Sequence, residues 1–355
     1  MNDAMELLGD AVSRGASDIF VIAGLPLSYK INGVLEHSDS PPFSPADTEQ
    51  FVRGLYSLTE NRGIVPMLES GDDDFSFSLK GISRFRASVY RQRGSLAAVI
   101  RVVRFELPDP AVLGVPPQVL ELADRTKGLV LVTGPAGSGK STTLACIIDR
   151  INHSRNSHVI TLEDPIEYLH RHGTSIISQR EIETDTISYV KALRAALRQA
   201  PDVILLGEMR DAETMGVAMT AAETGHLIFS TLHTVGAANA IDRIIDSFSP
   251  AQQNQIRVQV AQVLVAVVSQ QLVPTVDGGE VPAFEIMLVN TAIRNMIRES
   301  KIHQIGTVLY SSAAEGMCTM DSSLLRLVRS KTITERTALL YSTDPDALSR
   351  QLAKG

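Results

Sequence analysis

The stretch Leu129-Val130-Leu131-Val132-Thr133-Gly134-Pro135-Ala136-Gly137-Ser138-Gly139-Lys140-Ser141 decides the fold. It opens on an unbroken apolar run of strand type and leads into residues 141–151, whose composition suits a helix, so a glycine-rich turn joins a buried strand to a helix. Residues 134–141 fit the spacing G-x-x-x-x-G-K-[ST]. Glycines at those places let backbone N–H groups turn inward around phosphate oxygens, Lys140 brings a cation to them, and Ser141 offers a hydroxyl to Mg²⁺. Average residue usage gives the bare spacing by chance in about one chain in a hundred of this length, and the strand-turn-helix context makes it rarer. The expectation is that Gly134, Pro135, Ala136, Gly137, Ser138, Gly139, Lys140, Ser141 and Thr142 bind ATP with Mg²⁺.

Beyond this stretch, apolar runs alternate with helical segments. Val159-Ile160-Thr161-Leu162, Val203-Ile204-Leu205-Leu206 and Leu227-Ile228-Phe229-Ser230 join Leu129-Val130-Leu131-Val132 as the expected central strands of a mainly parallel sheet covered by helices. From about residue 250 the chain reads as mainly helical. Its most apolar stretch, residues 258–273, is read as a buried helix; Gln259, Gln262, Ser269, Gln270 and Gln271 interrupt it too often for a transmembrane segment.

Before the loop, Met5, Leu8 and Val12 stand at helical spacing, and Ile19-Phe20-Val21-Ile22 is a β-rich run. Tyr29-Lys30-Ile31 and Val34-Leu35-Glu36 flank Asn32-Gly33, the dipeptide suited to a type I′ hairpin turn. Phe75, Phe77 and Leu79 alternate with serines. Pro108, Pro110, Gly114, Pro116 and Pro117 then break any regular element, as a linker does. The reading is an α/β protein: a small α+β domain over residues 1–105, a linker over 106–117, and a P-loop domain over 118–355 with a helical carboxyl-terminal part.

A length of 355 residues with 44% hydrophobic and 21% charged residues is that of a globular, two-domain protein. The net charge of −7 carries no basic excess, and 5% aromatic residues without tryptophan leave little for base stacking, so no nucleic-acid partner is expected. Cys146 and Cys318 fit neither a disulfide framework nor paired zinc ligands and read as buried thiols of a cytoplasmic protein. The amino terminus has Asp3 and Glu6 where a signal peptide carries basic residues.

Phosphoryl transfer needs a carboxylate near Mg²⁺ and a group to orient water. The carboxyl ends of strands in an open α/β sheet face the ligand crevice. Glu163 and Asp164 follow one expected strand there, and Glu208 follows another. His226 and His233 bracket the fourth strand. By chemistry alone, either is a donor to a γ-phosphate oxygen or a core imidazole bonded to a backbone carbonyl.

Four boxes in order, residues 134–142, 160–167, 202–211 and 224–234, resemble those of the secretion ATPases of type IV pili and type II secretion. Gly15-Ala16-Ser17-Asp18 and Gly24-Leu25-Pro26 resemble the family's PAS-like amino-terminal domain, and the resemblance makes the second domain RecA-like. Gly207-Glu208 agrees with the family's Walker B box, residues 202–211 here, which ends in Gly-Glu where other NTPases carry an Asp-Glu pair. The resemblance implies that Glu208 is associated with Mg²⁺, that Glu163 polarises the attacking water, and that His233, with His226, senses the γ-phosphate. It also implies amino-terminal arginines that reach the nucleotide; Arg86, Arg93 and Arg101 match them best.

Ala292-Ile293-Arg294-Asn295-Met296-Ile297-Arg298-Glu299 nearly reproduces the AIRNLIRE motif of the family's retraction motors, with Met for Leu. The implied function is an ATP-hydrolysing hexameric motor for type IV pilus retraction and twitching motility. Its implied partners are an inner-membrane platform protein and other pilus ATPases. The alternatives are an assembly or accessory ATPase of the same superfamily, or a RecA-like translocase on nucleic acid.

Overall fold

The computed structural model describes residues 4–31, 33–59, 62–103 and 107–353; Asn32 of the expected hairpin turn and Glu106 at the start of the expected linker lie outside them. The chain divides into two compact units, Met1–Glu106 with Pro165–Leu169, and Leu107–Asp164 with His170–Gly355.

The first unit is built on a six-stranded antiparallel sheet. Its strands are β1 (Asp18–Val21), β2 (Ser28–Ile31), β3 (Val34–His37), β4 (Asp72–Leu79), β5 (Ser83–Gln92) and β6 (Ser95–Val103), in the order β3-β2-β1-β6-β5-β4. Period-two alternation gives β4 and β5 one buried face each, whereas the edge strand β3 is exposed throughout. Phe85, Ala87, Val89 and Ile100 on the buried face of the sheet meet Leu8 of helix Ala4–Ser13 and Phe51 and Leu55 of helix Pro45–Ser57. Ser44 and Asp47 start the second helix with reciprocal side-chain-to-backbone bonds that satisfy two otherwise orphaned donors. The β2–β3 hairpin forms where Asn32-Gly33 places it, with Ile31 opposite Val34 and Gly33 at φ +82°.

The second unit carries a seven-stranded sheet: β7 (Gly128–Thr133), β8 (His158–Glu163), β9 (Ile176–Glu181), β10 (Val203–Leu206), β11 (Leu227–Leu232), β12 (Leu264–Pro274) and β13 (Glu280–Leu288). The order is β13-β12-β7-β11-β10-β8-β9, parallel throughout except for β13 against β12. Both faces are covered, which is why these strands read as continuous apolar runs. Leu129, Leu131, Ile204 and Ile228 enter the core on one face. Val130, Val132, Val203 and Phe229 enter the core on the other.

One expectation fails here. Residues 258–273 are not a single buried helix: helix Pro250–Val263 ends, and the chain continues as β12. Short apolar runs fit a helix and a buried strand equally well. The β-branched residues Val265, Val267 and Val268 favour the strand, and pairing to β7 satisfies its backbone. The proline-rich run also carries structure of its own, with Leu107, Leu113 and Val115 packing onto the core of the second unit.

Candidate active site

β7 delivers the chain to Gly134 at the carboxyl end of the sheet, and helix Lys140–Ser154 leaves from there. Gly134, Gly137 and Gly139 adopt φ values of +145°, +77° and +83°, a region that side chains rarely tolerate. The helix starts at Gly139 without a side-chain cap, and its amino end brings the positive end of the helix dipole to the loop. Lys140 is buried, and its ammonium donates to the carbonyl oxygens of Gly134 at 2.9 Å and Pro135 at 2.7 Å. The result is a glycine-rich turn that carries a buried ammonium at the amino end of a helix.

A row of bonds ties neighbouring strand ends to this loop. Gly134 N–H donates to Leu232 O at 3.2 Å, Thr231 Oγ1 donates to Gly207 O at 2.6 Å, and Gly207 N–H donates to Leu162 O at 2.8 Å. The ends of β7, β11, β10 and β8 therefore form one edge carrying the loop, His233, Glu208 and Glu163 in turn. Thr133, Ser138, Ser230 and Thr234, all on or beside that edge, hold buried hydroxyls without a hydrogen-bond partner among the described residues. Buried polar groups are normally satisfied, so this concentration marks a place built for a polar ligand.

The acidic side chains on the edge are held in place. Glu163 accepts from Thr161 Oγ1 at 2.6 Å and from Gln179 Nε2 at 3.3 Å. Glu208 lies between Arg210 Nη2 at 2.5 Å and His233 Nε2 at 3.3 Å. The Arg210 hydrogen bond leads in holding the Glu208 carboxyl below the usual range, so it stays ionised near neutral pH. The phenol of Tyr189 is buried among Asp164, Glu208 and Glu163, and burial first, then those carboxylates, push its ionisation far above the ordinary range. Its hydroxyl would lie 2.8 Å from a Cβ at position 207, so a side chain before Glu208 would require the Tyr189 ring to shift.

The two histidines separate. His233 follows the carboxyl end of β11 and is exposed beside Glu208. His226 precedes the amino end, where its Nδ1 is bonded to Ala221 O at 3.0 Å and Thr224 Oγ1 at 3.3 Å. Seven residues of strand rise separate the two histidines by roughly 23 Å. The structure thus does not bring His226 to the edge that carries His233 and Glu208; its imidazole is bonded to a backbone carbonyl.

The arginines of the first unit separate in the same way. Arg86 on β5 and Arg101 on β6 are cross-strand partners on the face away from the core. Arg101 Nε donates to Asp18 Oδ1 at 2.9 Å. Both arginines line a cavity of about 370 Å³ with Ser17, Glu167 and Tyr168. Arg93 is in the β5–β6 turn at φ +48°, at the other end of the strands, and does not join them. Sequence reasoning missed Arg210, Gln179 and Gln270. The polar residues Ser269-Gln270-Gln271 inside an apolar run were the available signal for the last.

A glycine-rich loop between a parallel strand and a helix, with carboxylates on adjacent strand ends, defines a P-loop ATPase. The family described as "Type II/IV secretion system protein" matches residues 1–327, and the chain belongs to it. It is 40% identical to the type IV pilus retraction ATPase PilT of Pseudomonas aeruginosa over 95% of this chain and 97% of that one. It is 38% identical to the type IV pilus ATPase PilU of the same organism over 99% and 91%. The crystal structure of the pilus retraction motor PilT with bound ADP superposes with a TM-score of 0.90 at 45% identity, covering 99% and 100% of the two chains.

Proposed function

We propose that this chain is the subunit of a hexameric, cytoplasmic ring motor that hydrolyses ATP to retract a type IV pilus. The observation that carries the reading is the continuous edge of strand ends bearing the glycine loop, His233, Glu208 and Glu163. Its likeness to PilT over nearly the whole chain supports pilus retraction as the work performed.

In this reading, N–H groups from the loop after Pro135 through Thr142 and the Lys140 ammonium hold the β- and γ-phosphates of ATP. Glu163 orients the attacking water and takes its proton while the γ-phosphoryl group passes to that water and ADP leaves. His233 donates to a γ-phosphate oxygen, and through its contact with Glu208 it registers whether that phosphate is present. Ser141 and the ionised Glu208, directly or through water, are the groups that would hold Mg²⁺, which supplies neutralisation of charge on the phosphate oxygens. Arg86 and Arg101 are the amino-terminal arginines assigned to the nucleotide, where fixed guanidinium groups stabilise charge on the transferring group. Nucleotide turnover moves the PAS-like and RecA-like domains about the chain near residues 106–117, and the ring pulls on an inner-membrane platform protein.

Deletion of the gene, with complementation by wild type or Lys140→Ala, tests this. Piliated cells that cannot twitch, restored by wild type alone, are expected. Bald cells would replace retraction with assembly, and unimpaired twitching would replace it with an accessory role of the PilU kind.

A further inference from the structure

β12 continues past its last pair with β7, Ser269 opposite Thr133, and its next residue, Gln270, comes level with Gly134. The backbone there is close: a Cβ on Gly134 would stand 2.1 Å from the Gln270 carbonyl oxygen. The Gln270 side chain then reaches along the loop. Its Nε2 would be 2.8 Å from a Cβ on Gly139, and its Oε1 accepts from Thr143 Oγ1 at 2.7 Å. One carboxamide therefore spans the left-handed residue that ends the loop and the first turn of the helix whose N–H groups form the anion site.

Gln270 is 3% exposed and Thr143 1% exposed. A carboxamide in such a place costs desolvation that a leucine of similar size would not. The neighbouring strand residues Val267, Val268 and Val273 are apolar and fully buried. The adjacent Ser269 accepts from Gly236 N–H at 2.9 Å, and Glu285, its register partner on β13, accepts from Ala237 N–H at 2.7 Å. Consecutive positions of one strand thus hold the glycine loop and the segment that follows His233.

We propose that Gln270 is a positioning residue for nucleotide binding, holding Gly139 and the first helical turn in the shape that receives the phosphates. This rests on residues 134–142 being the nucleotide site. The side chain acts through the loop and touches no reacting atom.

The test uses the full-length protein, with ATP affinity from a fluorescent nucleotide competed by ATP, steady-state hydrolysis, and melting temperature. Gln270→Leu is expected to weaken ATP binding and raise KM about ten- to a hundredfold, the loss that follows an unpaired buried polar partner, with a smaller fall in kcat. Adding Thr143→Val to Gln270→Leu should cost little more affinity, because the two side chains act as a pair. Gln270→Glu keeps the shape but sets a carboxylate beside the phosphates. Its affinity relative to wild type should recover as pH falls toward about 5, because burial raises the new carboxyl's pKa and the neutral acid has a donor where the amide had one.

Gln270→Leu binding ATP within about twofold of wild type would overturn the proposal, whatever its melting temperature. If that variant does not fold, Gln270→Glu decides alone, and a flat affinity ratio with pH overturns it. Wild-type protein that binds no ATP would instead remove the functional reading on which the proposal rests.

Discussion

The two ends of the seven-stranded sheet use the same residue types to opposite effect. At the amino end, His226 is bonded to Ala221 O, and His158 is bonded to Gln199 O and Ser178 Oγ. There too, Asp202 accepts from the backbone N–H of His158. These groups are satisfied locally. At the carboxyl end, His233 is exposed against an ionised Glu208, Lys140 is buried in a glycine loop, and hydroxyls of Thr133, Ser138, Ser230 and Thr234 have no partner among the described residues. Parallel strands give every helix that follows a strand the same polarity, so N–H groups and strand-end acids accumulate at one edge only. The lesson is that a histidine beside a strand says little until the strand's direction is known.

The largest effect should come from Lys140→Ala, which removes the only side-chain cation inside the glycine loop; kcat/KM for ATP is expected to fall by about three orders of magnitude in a steady-state assay. A variant retaining a tenth of wild-type activity would break the contrast between the two edges. Glu163→Gln preserves shape while removing the base, and should lower kcat by about 10²- to 10³-fold with KM little changed. Equal losses in binding and turnover would move Glu163 from water activation to structural support.

The two histidines give the sharpest comparison. His233→Ala should lower kcat about tenfold, whereas His226→Ala should leave kcat unchanged and cost about 1 kcal/mol of stability in denaturant unfolding. Reversal of that pattern would overturn the separation of the two ends.

The smallest effect is expected of Arg210→Ala. Without the guanidinium, the Glu208 carboxyl rises toward its ordinary range, so the acidic limb of the pH–rate profile should shift to higher pH. The sign for stability follows from linkage: a carboxyl depressed in the folded state stabilises the protein above its unfolded pKa, and that contribution is lost as pH falls through the folded value. Arg210 is 70% exposed, so the loss should be about 1 kcal/mol or less in urea unfolding at neutral pH. An unmoved acidic limb would show that Glu208 does not set it.

The order of the four boxes, the strand-loop-helix unit and the division into an α+β part and a P-loop part were legible because each rests on local rules: apolar runs, glycine spacing and strand-end acids. The positions of Glu163, Glu208 and His233 at or just beyond strand ends were legible for the same reason. The strand β12 was not, because residues 264–274 are apolar enough to be either a buried helix or a buried strand, and only pairing with β7 decides. Gln270 was hidden with it. The sequence also could not separate His226 from His233, or Arg93 from Arg86 and Arg101. Those distinctions depend on which end of a strand a residue occupies and which residue stands opposite, and both are set by register and strand direction between segments far apart in the chain. The sequence by itself determined the strand, glycine loop and helix, and which acids follow the neighbouring strands. The tertiary structure decided which residues share its edge, because parallel pairing between distant segments sorts residues by strand polarity.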